Sequence, residues 1–189
     1  LQENFITFEQ VKNATIKLRD LSYQHWLRDD IHKWTWWLNL SLIIIPIYIW
    51  WKFVDKARLV EIIMLGLFVD LIVTVLDVFG SEYVLWTYPD MFLPTIPRLM
   101  PIDYMVVPVV YMLIFQYYPK WKSYVFMLIV MSGVFSFLVE PLMIWLNLYA
   151  LVKWKLIYSF PIYIFIGIFS KWFTETAKRL QKIHTENHF

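Results

Sequence analysis

The chain has 189 residues, of which 60% are hydrophobic, 20% aromatic and 17% charged, with a formal net charge of +2 and no cysteine. That apolar share exceeds the roughly 45–50% of a soluble domain, and a globule of this length cannot hide the excess in one core, so it must face lipid. Disorder, disulfide scaffolds, thiolate metal centres and iron–sulfur clusters are excluded, and the near-balanced charge offers no electrostatic case for nucleic acid.

Residues 1–33 are charged throughout and lack an apolar core ending in a small-residue cleavage site, so they do not read as a signal peptide. Phe8, Val11, Thr15 and Leu18, continued by Ser22 and Trp26, recur at helical spacing with polar residues between them. This predicts an amphipathic helix lying on the membrane surface. Five continuously apolar stretches follow, at 34–53, 59–79, 102–118, 124–147 and 156–173. Each reaches or approaches the ~20 residues that a spanning helix needs, although the third is short and contains Pro108. Continuous rather than alternating hydrophobicity excludes a barrel. The expected architecture is therefore an all-α polytopic bundle of five spans over 34–174, preceded by the interfacial segment 1–33 and followed by a polar tail, 175–189.

Trp34, Trp36 and Trp37 open the first span and Trp50, Trp51 and Lys52 close it; Trp121 opens the fourth, and Lys171 with Trp172 ends the fifth. Such rings and cations anchor helices at headgroup level. Lys52, Lys56, Arg58, Lys120, Lys122, Lys171, Lys178, Arg179 and Lys182 fall on the C-terminal side. Arg19, Arg28, Lys33, Arg98, Lys153 and Lys155 fall on the other. The excess of lysine and arginine favours the N-terminus outside and the C-terminus inside a cell membrane.

Three carboxylates break the pattern of charge outside the spans. Asp70 and Asp77 lie seven apart in the second span and so share a helix face, and Glu140 lies inside the fourth. Each costs about 2.5–3.5 kcal/mol at mid-bilayer on insertion scales, so such groups usually face the bundle interior and mark function. Ser132, Ser136 and Glu140 are spaced by four, and Asn147 continues that stripe. Spans two and four both run toward the N-terminal side, where Asp103 opens span three. The connection from Gly80 to Pro101 carries Glu82, Trp86, Tyr88, Pro89, Pro94, Pro97 and Arg98; long aromatic connections of this kind are often lids or binding elements. If spans two, three and four are neighbours, Asp77, Asp103 and Glu140 converge beneath it, with Arg98 as their nearest cation, Lys153 and Lys155 in reserve, and Asp70 extending the site inward. The alternative is that these acids only bond hydroxyls as packing glue.

Oxygen donors suit hard cations, while His25, His32, His184 and His188 all lie in the terminal segments. No P-loop, dinucleotide, GxSxG or HExxH motif is present, and no cofactor is expected. The expected function is binding of a cation, a proton or an amphiphilic small molecule in this acidic pocket. A second reading is acid catalysis on a lipid or isoprenoid, because a carboxylic acid beside aromatic rings can protonate a substrate and stabilise a carbocation. Asp77, Trp86-Thr87-Tyr88 and Pro101-Ile102-Asp103 resemble loosely the acid and Trp-x-Tyr spacing of membrane-embedded lycopene-cyclase-type proteins, without that family's Pro-x-Glu-Glu motif. A third is a structural or regulatory subunit, with lipid and a copy of itself or another membrane protein as partners.

Several motifs together carry a broader likeness. They include Trp50-Trp51-Lys52, Asp55-Lys56-Ala57-Arg58-Leu59, Leu85-Trp86-Thr87-Tyr88-Pro89 and Pro97-Arg98-Leu99-Met100-Pro101-Ile102-Asp103. With them go Glu140-Pro141 and Trp154-Lys155 followed by Tyr158-Ser159-Phe160-Pro161. From about Leu18 to Phe173 the chain resembles a family of small five-span membrane proteins of Gram-positive, spore-forming bacteria, catalogued under a clostridial hypothetical-protein label. The resemblance implies a multi-pass architecture in a bacterial plasma or spore membrane and implies no activity.

Overall fold

A computed structural model describes residues 6–94 and 101–186. Six helices follow in chain order: α1 (Phe8–Arg28), α2 (Trp34–Phe53), α3 (Leu59–Glu82), α4 (Ile102–Tyr117), α5 (Trp121–Trp145) and α6 (Leu156–Glu186). Two short strands, β1 (Trp86–Thr87) and β2 (Ala150–Leu151), pair antiparallel with Trp86 opposite Leu151. α2, α3, α5 and α6 are long and apolar enough to cross a membrane, as in a membrane protein of all-α class, whereas α4 is shorter.

Local chemistry sets the helix ends. Thr7 and Gln10 form a reciprocal capping box at the start of α1, the hydroxyl accepting from the Gln10 N–H and the Gln10 amide oxygen accepting from the Thr7 N–H. Asp55 caps the short turn leading into α3. Two prolines shape the interior. Pro108 and Pro141 cannot donate to the carbonyls four residues earlier, those of Tyr104 and Phe137. Both carbonyls lie in π-helical segments, Ile102–Val106 and Phe135–Val139, where the widened turn absorbs the missing bond.

The core lies where α3, α4, α5 and α6 meet. Leu65, Val69, Tyr111, Phe115, Tyr124, Leu128 and Ile166 are buried there, and Gly66 and Gly167 let neighbouring helices approach Met112 and Leu128 closely. The buried phenols remain satisfied: Tyr111 donates to the Tyr163 carbonyl (2.6 Å) and Tyr124 to the Gly167 carbonyl (3.0 Å). α4 is the most buried helix although it is the shortest of the five apolar ones. Gln116 near its end accepts from the Asp55 N–H and donates to the Phe53 carbonyl, tying it to the α2–α3 turn.

Several boundaries differ from the sequence expectation. α3 continues to Glu82, so the long connection starts after Gly80 rather than at it. α6 runs on as helix through the polar residues beyond Phe173, because lysine, arginine, glutamate and glutamine sustain helix well without burial. Asn147 does not extend the α5 stripe; α5 stops at Trp145, and Asn147 takes a left-handed conformation (φ 60°).

Candidate functional site

At the end of the bundle where α3 and α5 finish and α4 begins, a cavity of about 280 Å³ lies between the helices and two connecting segments. β1 and β2 join those segments, and the Leu85 carbonyl accepts from the N–H groups of Val152, Lys153 and Trp154. The pairing turns Trp86, Tyr88, Tyr149 and Trp154 inward as an aromatic cap. Trp86 meets Trp154 edge-on at 5.1 Å between centroids, and Tyr88 lies 5.7 Å from Tyr149.

Asp77, Asp103 and Glu140 all line this cavity, and each is buried. The two π-helical segments place two of them: Asp103 lies within the first, and Glu140 directly follows the second. Asp77 accepts from Trp86 Nε1 (3.0 Å) and from the Tyr88 hydroxyl. Glu140 accepts from the Tyr163 hydroxyl (2.9 Å) and from Ser159 Oγ (3.1 Å), which itself accepts from Trp154 Nε1 (3.0 Å). Asp103 differs, since its carboxylate accepts no hydrogen bond from the described residues and its Oδ2 is buried. Among the described residues no lysine, arginine or histidine lines the cavity, whose walls are otherwise mostly apolar.

The capping tyrosines register that negative field. Burial, then the charges of Asp103 and Asp77, hold the Tyr88 hydroxyl protonated well above the usual tyrosine range. Burial, then the charges of Glu140, Asp77 and Asp103, raises Tyr149 likewise.

The sequence-predicted residues are thus brought together in part. Asp77, Asp103, Glu140, Trp86 and Tyr88 share one cavity. Asp70 does not line it; it lies deeper along α3 and is only half-buried, with its Oδ1 unpartnered. The α3 part of the lining begins at Val73, about one turn past Asp70. Arg98 lies outside the described residues, while Lys153 and Lys155 are exposed and away from the lining. Tyr149, Trp154, Ser159 and Tyr163 were missed. Ser159 and Tyr163 are four apart on α6, a polar pair on one helix face that could have flagged them.

A second polar cluster fastens the cap from outside. Asp90 accepts from Lys33 Nζ (2.5 Å), Thr35 Oγ1 (3.0 Å) and Asn147 Nδ2 (3.5 Å), and buried Asp30 accepts from the Met91 N–H (3.2 Å). Trp26 and Trp36 both donate to the Phe92 carbonyl, and Trp36 stacks on Phe92 at 5.2 Å. These two tryptophans therefore hold a loop, whereas Trp34, Trp37, Trp51 and Trp172 are exposed as expected of anchors. Asp90 and its neighbours hold Lys33 charged above its ordinary value of 10.5.

Comparison with protein-family models, curated proteins and solved structures finds no match to this chain. Chemically, the cavity offers carboxylate oxygens and π-faces in apolar surroundings. The described residues assemble no group of three metal-ligating side chains.

Proposed function

We propose that the protein is a five-span membrane protein that binds an amphiphilic organic cation, a protonated or quaternary amine on an apolar body, in the acidic aromatic cavity. The carrying observation is that three carboxylates line a mostly apolar cavity that has no lining cation among the described residues. A positive head would meet Asp103 and the faces of Trp86, Tyr149 and Trp154, where cation–π attraction is worth about 0.5–2 kcal/mol. The volume of about 280 Å³ is at the small end of ligand pockets. A bare metal ion is less well suited, since apart from Asp103 its ligands would have to come from carboxylates already engaged by phenol, indole and serine donors.

The fifth span in this reading is α4. It starts beside the cavity and ends bonded to the α2–α3 turn, so connectivity carries it from one side of the bundle to the other. Its 16 residues span about 24 Å, short of the ~30 Å hydrocarbon core, and burial by its neighbours makes up the difference. The basic end faces inward and the cavity end outward, α1 lies along the outer surface on its Val11 and Leu18 face, and the membrane is that of a Gram-positive bacterium, as the loop motifs suggest.

The test is calorimetric titration of protein in nanodiscs with phenyltrimethylammonium and with tert-butylbenzene, which match in shape and differ in charge. The cation should bind at one site at least about tenfold more tightly, and Asp103→Asn and Glu140→Gln should each weaken it about tenfold. Equal affinity for both probes, no binding, or unaffected variants would refute the reading. The ligand should be recovered unaltered; a converted product would favour acid catalysis by the same carboxyls.

A further inference from the structure

The end of the bundle opposite the cavity carries a second concave feature, independent of the first. Arg58 before α3 and Lys178, Arg179 and Lys182 in the last turns of α6 face one groove. Both of its acids are already engaged. Glu61 is shared by Arg58 (3.3 Å) and Lys178 (2.7 Å), and Glu175 accepts from Trp121 Nε1 (2.9 Å) and lies 3.7 Å from Lys171. Arg179 makes no ion pair among the described residues. Arg58 and Lys178 share one acid, Glu175 pairs with Lys171 outside the lining, and Arg179 has no acid among the described residues, which leaves the groove positive.

The wall behind it is fixed. Lys171 is fully buried, donates to the Pro119 carbonyl (2.6 Å) and sits over the rings of Tyr124 (4.4 Å), Trp121 (5.1 Å) and Phe115 (5.6 Å). The Arg58 guanidinium covers the outer part of Phe115 at 5.3 Å. The floor of the groove is apolar, formed by exposed Pro119 with buried Phe115 beneath the Arg58 guanidinium, and its rim is cationic. Beside it Tyr117, Trp121, Trp172 and Phe173 are exposed, the aromatic belt of a helix end at headgroup depth.

A soluble anion has no use for an apolar floor and an aromatic flank, whereas a phospholipid uses both. We infer that this groove binds the headgroup of an anionic phospholipid, its phosphate between Arg179 and Lys182 and its acyl chains along the Trp172 and Phe173 face. Basic pockets between helices at a membrane surface recognise anionic lipids through the same combination of charge and depth.

The experiment is native mass spectrometry of protein released from nanodiscs of equal phosphatidylglycerol and phosphatidylcholine. Phosphatidylglycerol should be retained in preference, and the double variant Arg179→Gln/Lys182→Gln should reduce that retention about tenfold or more. Both positions are exposed, so the fold should survive, which a thermal melt checks. The control Lys120→Gln/Lys122→Gln, at the exposed start of α5 on the same membrane side, should keep the preference. No preference in the native chain, or equal losses in both double variants, would overturn the site in favour of diffuse surface charge. Displacement of the lipid by excess inorganic phosphate, with phosphate binding to the delipidated protein, would overturn it in favour of a free-anion site.

Discussion

Replacing Gly80 with alanine tests how tightly the aromatic cap is fitted to α3. A Cβ there would lie 1.9 Å from Trp86 Cζ2 and 2.1 Å from Cη2. The indole cannot yield cheaply, since it is held edge-on by Trp154 and tied through Nε1 to Asp77. Alanine gains about 0.5–1 kcal/mol in a helix interior. Against this stand about 1–3 kcal/mol of overpacking and about 1.5–3 kcal/mol for the lost bond to a charged acceptor. The net expectation is a destabilisation of about 2–5 kcal/mol, read by equilibrium unfolding in mixed micelles. Trp86→Phe supplies the second arm, because phenylalanine lacks the benzo-ring atoms that the new methyl would strike. In that background Gly80→Ala should be neutral or slightly stabilising, a coupling of at least about 2 kcal/mol. Equal costs in both backgrounds would refute the reasoning.

Val84 is a β-branched residue at φ 52°, two positions before Trp86. Asparagine adopts this region with less strain, so Val84→Asn should stabilise by about 1 kcal/mol and raise the melting temperature; an unchanged or lower value would show the backbone to be unstrained. Lys33→Met should cost about 1–2 kcal/mol, since buried Asp90 loses its closest donor while the part-exposed lysine screens some of the effect. Because the folded protein raises the Lys33 pKa, the contribution is fully present below the ordinary value of 10.5 and lost as pH rises through the folded one. The stability difference between native and variant chains should therefore be flat from about pH 6 to about pH 9 and shrink above 10.5. A difference that vanished near neutrality would refute the ion pair.

Hydropathy alone placed the first span at its observed ends, 34–53, and put the other apolar helices within a few residues of theirs, except where α6 continues beyond the apolar stretch. Apolar content reads membrane depth directly, but it is silent on where a helix continues past the apolar zone. The convergence of Asp77, Asp103 and Glu140 was legible because up–down connectivity puts the relevant ends of three consecutive helices on one side. What lay beyond the sequence was lateral: which face of α6 turns inward, and hence that Ser159 and Tyr163 bind Glu140. Asn147 was misplaced for a related reason. Periodicity carried the α5 stripe onward, while the chain turns at a left-handed residue and delivers the amide to Asp90. Trp36 reads as a membrane anchor and Trp26 as part of the stripe of a surface helix, since the sequence cannot distinguish an indole donating to a carbonyl 56 or 66 positions away from one lying at headgroup depth.

The three cavity acids do not carry equal weight in the choice between glue and function. Asp77 and Glu140 are surrounded by phenol, indole and serine donors, and those bonds would suffice to keep a carboxylate as a structural acceptor between helices. Asp103 has no such account. Its Oδ2 is buried and unpaired, on a helix turn that Pro108 forces into a wider π-helical form facing the cavity. An unsatisfied buried polar atom costs about 1–3 kcal/mol, which a leucine or methionine of similar size would avoid. Packing alone therefore gives α4 no reason to carry an acid at this position, whereas a cationic ligand would complete it. On the proposed reading, the neighbouring acids are the fixed negative surroundings that orient the guest, held in place by their donors.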